Sequence, residues 1–398
     1  MHIAGLLTCM LLLAGGLHAQ TTRAEEIEAE RLRKAAEIRP ERLNGLHRMF
    51  VWFEDKRVPQ RVMGGVHGFR ASFGTLGPAS GSALGIEYFR PDLAKGEVSL
   101  QAGAAGSFDG FRAFMTNLTF PKLGAGKYRL DLLGLSEYGA RFSYYGQGPG
   151  SNIAGRTIYS FENTRLMMEL GTRPASWLDI GLQGGYSLLK AGPGNTSRFA
   201  NAVDVFPSSM LPGMFEQPNY ALVGAFIQAN HGGEKGGGSY RVGVTNNIQT
   251  TPGNMTFTRI DADVQHFVPL LNATRIFALR ARTSLTGTPK GNVIPLYLQP
   301  RLGGPFDMRG FRALRFYDNN SMVFNAEYQW ELTGNVYGAL FVDAGKVFPK
   351  PGMLNFSNLE RSIGFGLRIF RGHTALARID LGFSREGAQV WFTVEGPF

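Results

Sequence analysis

The chain of 398 residues is long enough for two ordinary domains or for a single barrel. Its 53 glycines, 12% aromatics and mean hydropathy of −0.10, with no run of about 18 apolar residues after position 20, exclude a helical membrane protein. The formal charge of +10 is spread among acidic neighbours, so no nucleic-acid partner is expected, and lumen lining and contact with anionic lipid head groups account for it.

The N-terminus has an apolar core from Ile3 to Leu13, too short to span a bilayer, followed by Leu17-His18-Ala19 before Gln20. This predicts a secretory signal peptide over residues 1–19, although the segment before the core holds no Lys or Arg. Cys9, the only cysteine, lies inside that core, and Thr8 before it departs from a lipidation signal. Removal of the signal would leave no thiol for disulfides, catalysis or metal binding.

Residues 20–58 read differently from the rest. They are rich in charge and helix formers up to Pro40, and Leu43, Leu46, Phe50 and Phe53 then recur at helical spacing. A short helical segment is predicted, either a periplasmic arm or a plug inside a barrel.

Over residues 59–398 the period becomes two. Segments of roughly 9–12 residues alternate between apolar and polar positions and are separated by Gly, Pro, Asn and Asp. Ile363, Phe365, Leu367 and Ile369 take one face, against Ser362, Gly364, Gly366 and Arg368. Ala377, Ile379, Leu381 and Phe383 oppose Arg378, Asp380 and Ser384, while Phe324, Tyr328, Trp330 and Leu332 oppose Asn325, Glu327, Gln329 and Glu331. A soluble sandwich would also alternate. Charged, Gly-rich polar faces, Trp and Tyr near segment ends, and hairpin order without helical crossovers favour an all-β fold, a transmembrane antiparallel β-barrel of 16 strands. Gly/Pro/Asn-rich stretches at about 146–156, 191–218 and 287–320 predict long loops on one side.

Signatures of chemistry are missing. There is no G-x-S-x-G elbow and no G-x-x-x-x-G-K-[ST] loop, and His47, His67, His231, His266 and His373 show no metal-ligand spacing. A barrel phospholipase would need a Ser/His pair brought together at the membrane rim. The expectation is no enzyme, no cofactor and no metal.

Three motifs then occur in order. Met308-Arg309-Gly310-Phe311 follows Gly303-Gly304; Phe341-Val342-Asp343-Ala344-Gly345 comes next; Gly364-Phe365-Gly366-Leu367-Arg368 comes third. Together they resemble the C-terminal barrel of the BamA/TamA superfamily, the bacterial surface antigen family, most recognisably over 295–398. The resemblance implies that Arg309, Gly310 and Phe311 belong to a loop folded back into the lumen. It also implies lumen partners among Glu327, Asp343, Gly345, Arg368, Arg378 and Asp380. Asn325-Ala326-Glu327-Tyr328 is similar to another family stretch, with Gln329 where Arg is usual. Residues 385–392 match the polar-x-Gly-x-x-apolar-x-aromatic form of a barrel-assembly signal through Gly387, Val390 and Phe392, and the chain ends in Phe398 after Gly396-Pro397.

The family's client-receiving POTRA domains are not seen ahead of the barrel. The resemblance implies a bacterial outer-membrane location, contact with outer-membrane lipid and lipopolysaccharide, and client outer-membrane proteins as partners. The expected function is assistance to protein insertion or translocation through a weak seam between first and last strands. The alternative is a passive outer-membrane pore or a structural surface antigen.

Overall fold

The computed structural model describes residues 67–394, apart from 197, 271–273 and 372–373. The expected signal peptide, the helical segment of residues 20–58 and Phe398 lie outside the described residues.

Eleven strands come first: β1 (Phe69–Gly74), β2 (Ala83–Leu93), β3 (Val98–Ser107), β4 (Phe111–Lys122), β5 (Tyr128–Tyr144), β6 (Thr157–Ala175), β7 (Leu178–Pro193), β8 (Tyr220–Gly233), β9 (Gly236–Gln249), β10 (Phe257–Leu270) and β11 (Arg275–Gly287). Within the next loop the two-residue strands β12 (Arg301–Leu302) and β13 (Phe316–Tyr317) pair with each other. The series ends with β14 (Asn320–Thr333), β15 (Val336–Phe348), β16 (Glu360–Arg371), β17 (Thr374–Ser384) and β18 (Gly387–Val394). All but β12 and β13 form one 16-stranded sheet in sequential order. Each neighbour is antiparallel, as hairpin connections require.

Alternation decides which solvent each face meets. Leu166, Met168 and Leu170 on β6, Ile180 and Leu182 on β7, and Ile363, Phe365 and Leu367 on β16 all point outward and are exposed. Such a continuous apolar belt is too large for a water-facing surface and fits a lipid-facing wall. Strands of up to 19 residues in β6 exceed the 9–11 or so needed to cross a bilayer, so their ends project beyond it. Short turns, such as 176–177, 234–235 and 334–335, gather at one end. The long connections 145–156, 194–219, 288–319 and 349–359 gather at the other. The last of these was not singled out in the sequence, because its Pro, Gly and Asn are diluted among apolar residues.

The polar faces imply a wet, charged lumen. Midway along the barrel this describes it well: Arg165, Asp261, Asp263 and Arg280 border a cavity of about 1110 Å³. The long-loop end differs. There Tyr144, Tyr159, Phe161, Tyr220 and Phe257 from the wall pack with Leu211, Met214, Leu296 and Tyr297 from the loops, all buried. Loops 194–219 and 288–319 thus supply a hydrophobic core inside the barrel. Strand parity could not show this, since the contributing loop residues have no periodicity.

β18 returns beside β1. No ladder joins the two among the described residues, and β1 (6 residues) and β18 (8 residues) are the shortest strands of the wall.

Candidate functional site

Loop 288–319 leaves β11 and descends into the lumen. Leu302, Met308, Phe311 and Phe316 bury themselves there against Val323 of β14 and Val347 of β15, and Phe311 is completely enclosed. Burying these side chains against the wall anchors the loop and presents Arg309 to the inner faces of β14 to β17.

Arg309 meets carboxylates from three strands. Its Nη2 donates to Asp343 at 2.7 Å, its Nε reaches both Asp343 oxygens at 3.2 and 3.3 Å, and its own backbone N–H donates to Asp343 at 2.9 Å. Nη1 donates to Glu327 and lies 3.9 Å from Asp380. The guanidinium carbon stands 3.5 Å from the centre of the Phe341 ring. Burial alone would disfavour the charge of Arg309, but Asp343 and Glu327 more than offset it, so its pKa is held above the ordinary arginine value.

The wall residues are held in turn. Arg368 grips Glu327 through Nε at 2.8 Å and Nη2 at 2.7 Å, and its Nη2 is also 2.7 Å from Asp380. Gln329 donates to Glu327 at 2.9 Å, while Asn325 and Ser362 donate to Asp343 at 2.8 and 3.0 Å. Every carboxylate in the cluster therefore has a cationic partner, the condition under which buried charge is tolerated. The fork of an arginine suits this arrangement, since it presents several donors in one plane.

The glycines have steric roles. A Cβ at Gly310 would lie 2.5 Å from the Ser362 Cβ and 2.7 Å from the Phe383 carbonyl oxygen, and one at Gly382 would lie 2.5 Å from the Arg309 backbone. Loop and wall thus touch backbone to backbone. Gly345 carries no charge partner; it leaves room for the Met308 sulfur, which a Cβ there would approach to 3.2 Å. Arg378 is inward as well, with its guanidinium over Phe306, 5.9 Å from the ring centre.

The same loop ties down the final hairpin. Trp391 Nε1 on β18 donates to the Arg309 carbonyl at 2.7 Å, and Ser384 on β17 donates to the Gly310 carbonyl at 2.7 Å. Arg315, almost fully buried, donates to Glu386 at 2.9 and 3.0 Å in the β17–β18 turn and to Ser151 in loop 145–156 at 2.6 and 2.7 Å. Of the assembly-signal residues, Gly387 starts β18 with φ of +102°, and Val390 and Phe392 point outward, exposed. Neither Trp391 nor Arg315 was legible as a site residue. Trp391 shares the inward parity of Asp380, its register partner, which was the available signal.

Among the described residues no group of three or more His, Asp or Glu is arranged to hold a metal ion. His266 shares a hydrogen bond of 2.6 Å with the Tyr240 hydroxyl.

Residues 235–390 match the Omp85 superfamily domain. No curated protein sequence matches the chain at a significant level. Among solved structures, BamA from Haemophilus ducreyi lacking POTRA domains 1–3 is similar at 14% identity and a TM-score of 0.60, over 82% of this chain and 69% of that one. CdiB from Escherichia coli is similar at 14% identity and a TM-score of 0.58, over 83% of this chain and 63% of that one. CdiB from Acinetobacter baumannii is similar at 13% identity and a TM-score of 0.52, over 82% and 59%. This chain thus spans less than two thirds of either CdiB. At these identities the likeness speaks for the fold: the protein is a 16-stranded antiparallel barrel of the type seen in BamA and CdiB, with residues 235–390 similar to the Omp85 superfamily domain.

Proposed function

We propose that this protein resides in the bacterial outer membrane, amid its phospholipid and lipopolysaccharide, and assists the insertion or translocation of client proteins there. The observation that carries the reading is the seam: among the described residues β1 and β18 lie side by side without a ladder, leaving strand edges able to pair with an incoming strand. The apolar belt supplies the lipid-facing wall. The Arg309 network and its hydrogen bond from Trp391 hold the last strand in position from inside, so the edge is offered in a fixed geometry. The aromatic packing at the long-loop end of the lumen weighs against a passive open pore.

The test is the folding rate of an unrelated denatured barrel protein into liposomes, with and without this protein reconstituted. Acceleration that weakens several-fold with Arg309→Ala is the expected result. Equal rates with and without the protein would discard the insertion role and leave the barrel with a pore or surface-structural one.

A further inference from the structure

The β8–β9 hairpin carries glycine on both sides of its tip: Gly232 and Gly233 before Glu234-Lys235, and Gly236, Gly237 and Gly238 after it. The tip does not stay on its own side of the barrel. Glu234 accepts the backbone N–H of Ala375 on β17 at 3.1 Å. The Lys235 ammonium stands 5.0 Å from the ring centres of both Tyr337 on β15 and Phe370 on β16. Between β9 and β17 lie β10, β11, β14, β15 and β16. A tip that reaches across those five strands has crossed the short-turn mouth.

What it meets there is a small apolar floor on the lumen wall. Ile276, Tyr337, Phe370 and Ala375 are at most 2% exposed, and Phe267 packs beside them. Apolar groups around a water-filled mouth need a cover, and the hairpin tip provides one. Above it lies a cavity of about 410 Å³ bordered by Glu234 together with Ala278, Arg309, Glu327 and Arg368. The hairpin therefore closes, from the short-turn side, the space that holds the arginine network.

The neck is almost bare of side chains. Gly232 (φ +64°), Gly236 (φ +148°) and Gly237 (φ +149°) occupy backbone conformations that residues with a side chain rarely adopt. A Cβ at Gly232 or Gly237 would fall 2.1 Å from a backbone oxygen of the opposite strand. The neck keeps its backbone pairing, Gly232 with Gly237 and Gly233 with Gly236, and Gly237 also pairs with Phe267 of β10; it has no side-chain pairs of its own, so the side-chain contacts that fix the turn are those of the tip.

We propose that the tip of the β8–β9 hairpin is a gate over the short-turn mouth of the lumen, latched by Glu234 and Lys235. The gate is independent of seam-based insertion, and its test needs only the folded barrel in detergent. A lumen cysteine, Ala278→Cys, is introduced into the full chain with Cys9→Ser, and the rate of its modification by a bulky polyethylene-glycol maleimide is measured. Removing the charged hydrogen bond and the cation–ring contacts with Glu234→Ala and Lys235→Ala should speed the reaction about tenfold or more. Lys235→Arg, which keeps a cation over the rings, should leave it slow. A small thiol reagent should react at similar rates in all backgrounds. Equal rates for the bulky reagent with and without the latch, or a Lys235→Arg rate as fast as the double alanine variant, would overturn the gate.

Discussion

Arg309 is the residue on which the lumen network turns. Arg309→Ala would leave Asp343 and Glu327 buried without their shared cation, and breaking a buried pair from one side costs about 3–5 kcal/mol. The expected outcome is a loop 288–319 that limited proteolysis cuts readily and a lower thermal midpoint. Arg309→Lys, which keeps charge but loses the fork, should fall between the two. Gly310→Ala tests the backbone contact separately: its methyl meets Ser362 and the Phe383 carbonyl, and overpacking of this kind costs about 1–3 kcal/mol. A thermal midpoint equal to that of the unaltered protein would contradict the close approach. Strand parity placed Glu327, Asp343, Arg368, Arg378 and Asp380 on one face, but it could not say which of them stand at the height of Arg309. That depends on the stagger between strands. Asn325, Gln329 and Ser362 have the same parity and complete the network, yet nothing distinguished them in the sequence from ordinary lumen lining.

The final hairpin is the element where loop and seam meet. Among the described residues β18 pairs only with β17, and from the lumen it is held by the Trp391 bond to the Arg309 carbonyl, with Arg315 fixing the adjacent turn through Glu386. Trp391→Phe keeps the ring and removes the donor, leaving a buried carbonyl without that partner, at a cost of about 1–3 kcal/mol. Hydrogen exchange should then quicken along β18 and stay unchanged in β5 and β6, whose ladders are the longest. Uniform exchange across all strands would argue that the loop does not restrain the last strand. In the unaltered protein β1, short and among the described residues paired only with β2, should exchange faster than any interior strand.

The whole molecule divides its stability between two solvents. A charge placed on the outer wall meets lipid: Leu182→Arg, on an outward position of β7 that is 63% exposed, should destabilise the barrel by about 2–4 kcal/mol if it lies near the bilayer midplane. The matched inward change Gln183→Arg faces the water-filled cavity and should be tolerated. Urea titrations of both variants in lipid vesicles would separate these outcomes, and equal losses would contradict the division into lipid and lumen faces.

The amino-acid sequence by itself determined the class of fold. Alternation fixes which face of each strand is apolar, hairpin-length turns fix antiparallel neighbours in sequential order, and a count of about 15 or 16 such segments, with the even numbers usual in such barrels, leads to sixteen strands. These are local properties, set within a strand and its adjoining turn. The tertiary structure decided everything that crosses the lumen. It determined that loop residues fill the long-loop end with an aromatic core, that Arg315 joins three connections, and that the Glu234-Lys235 tip reaches β17. Such contacts join residues far apart in the chain, and their partners are set by the curvature and stagger of the closed wall, which no period in the sequence encodes.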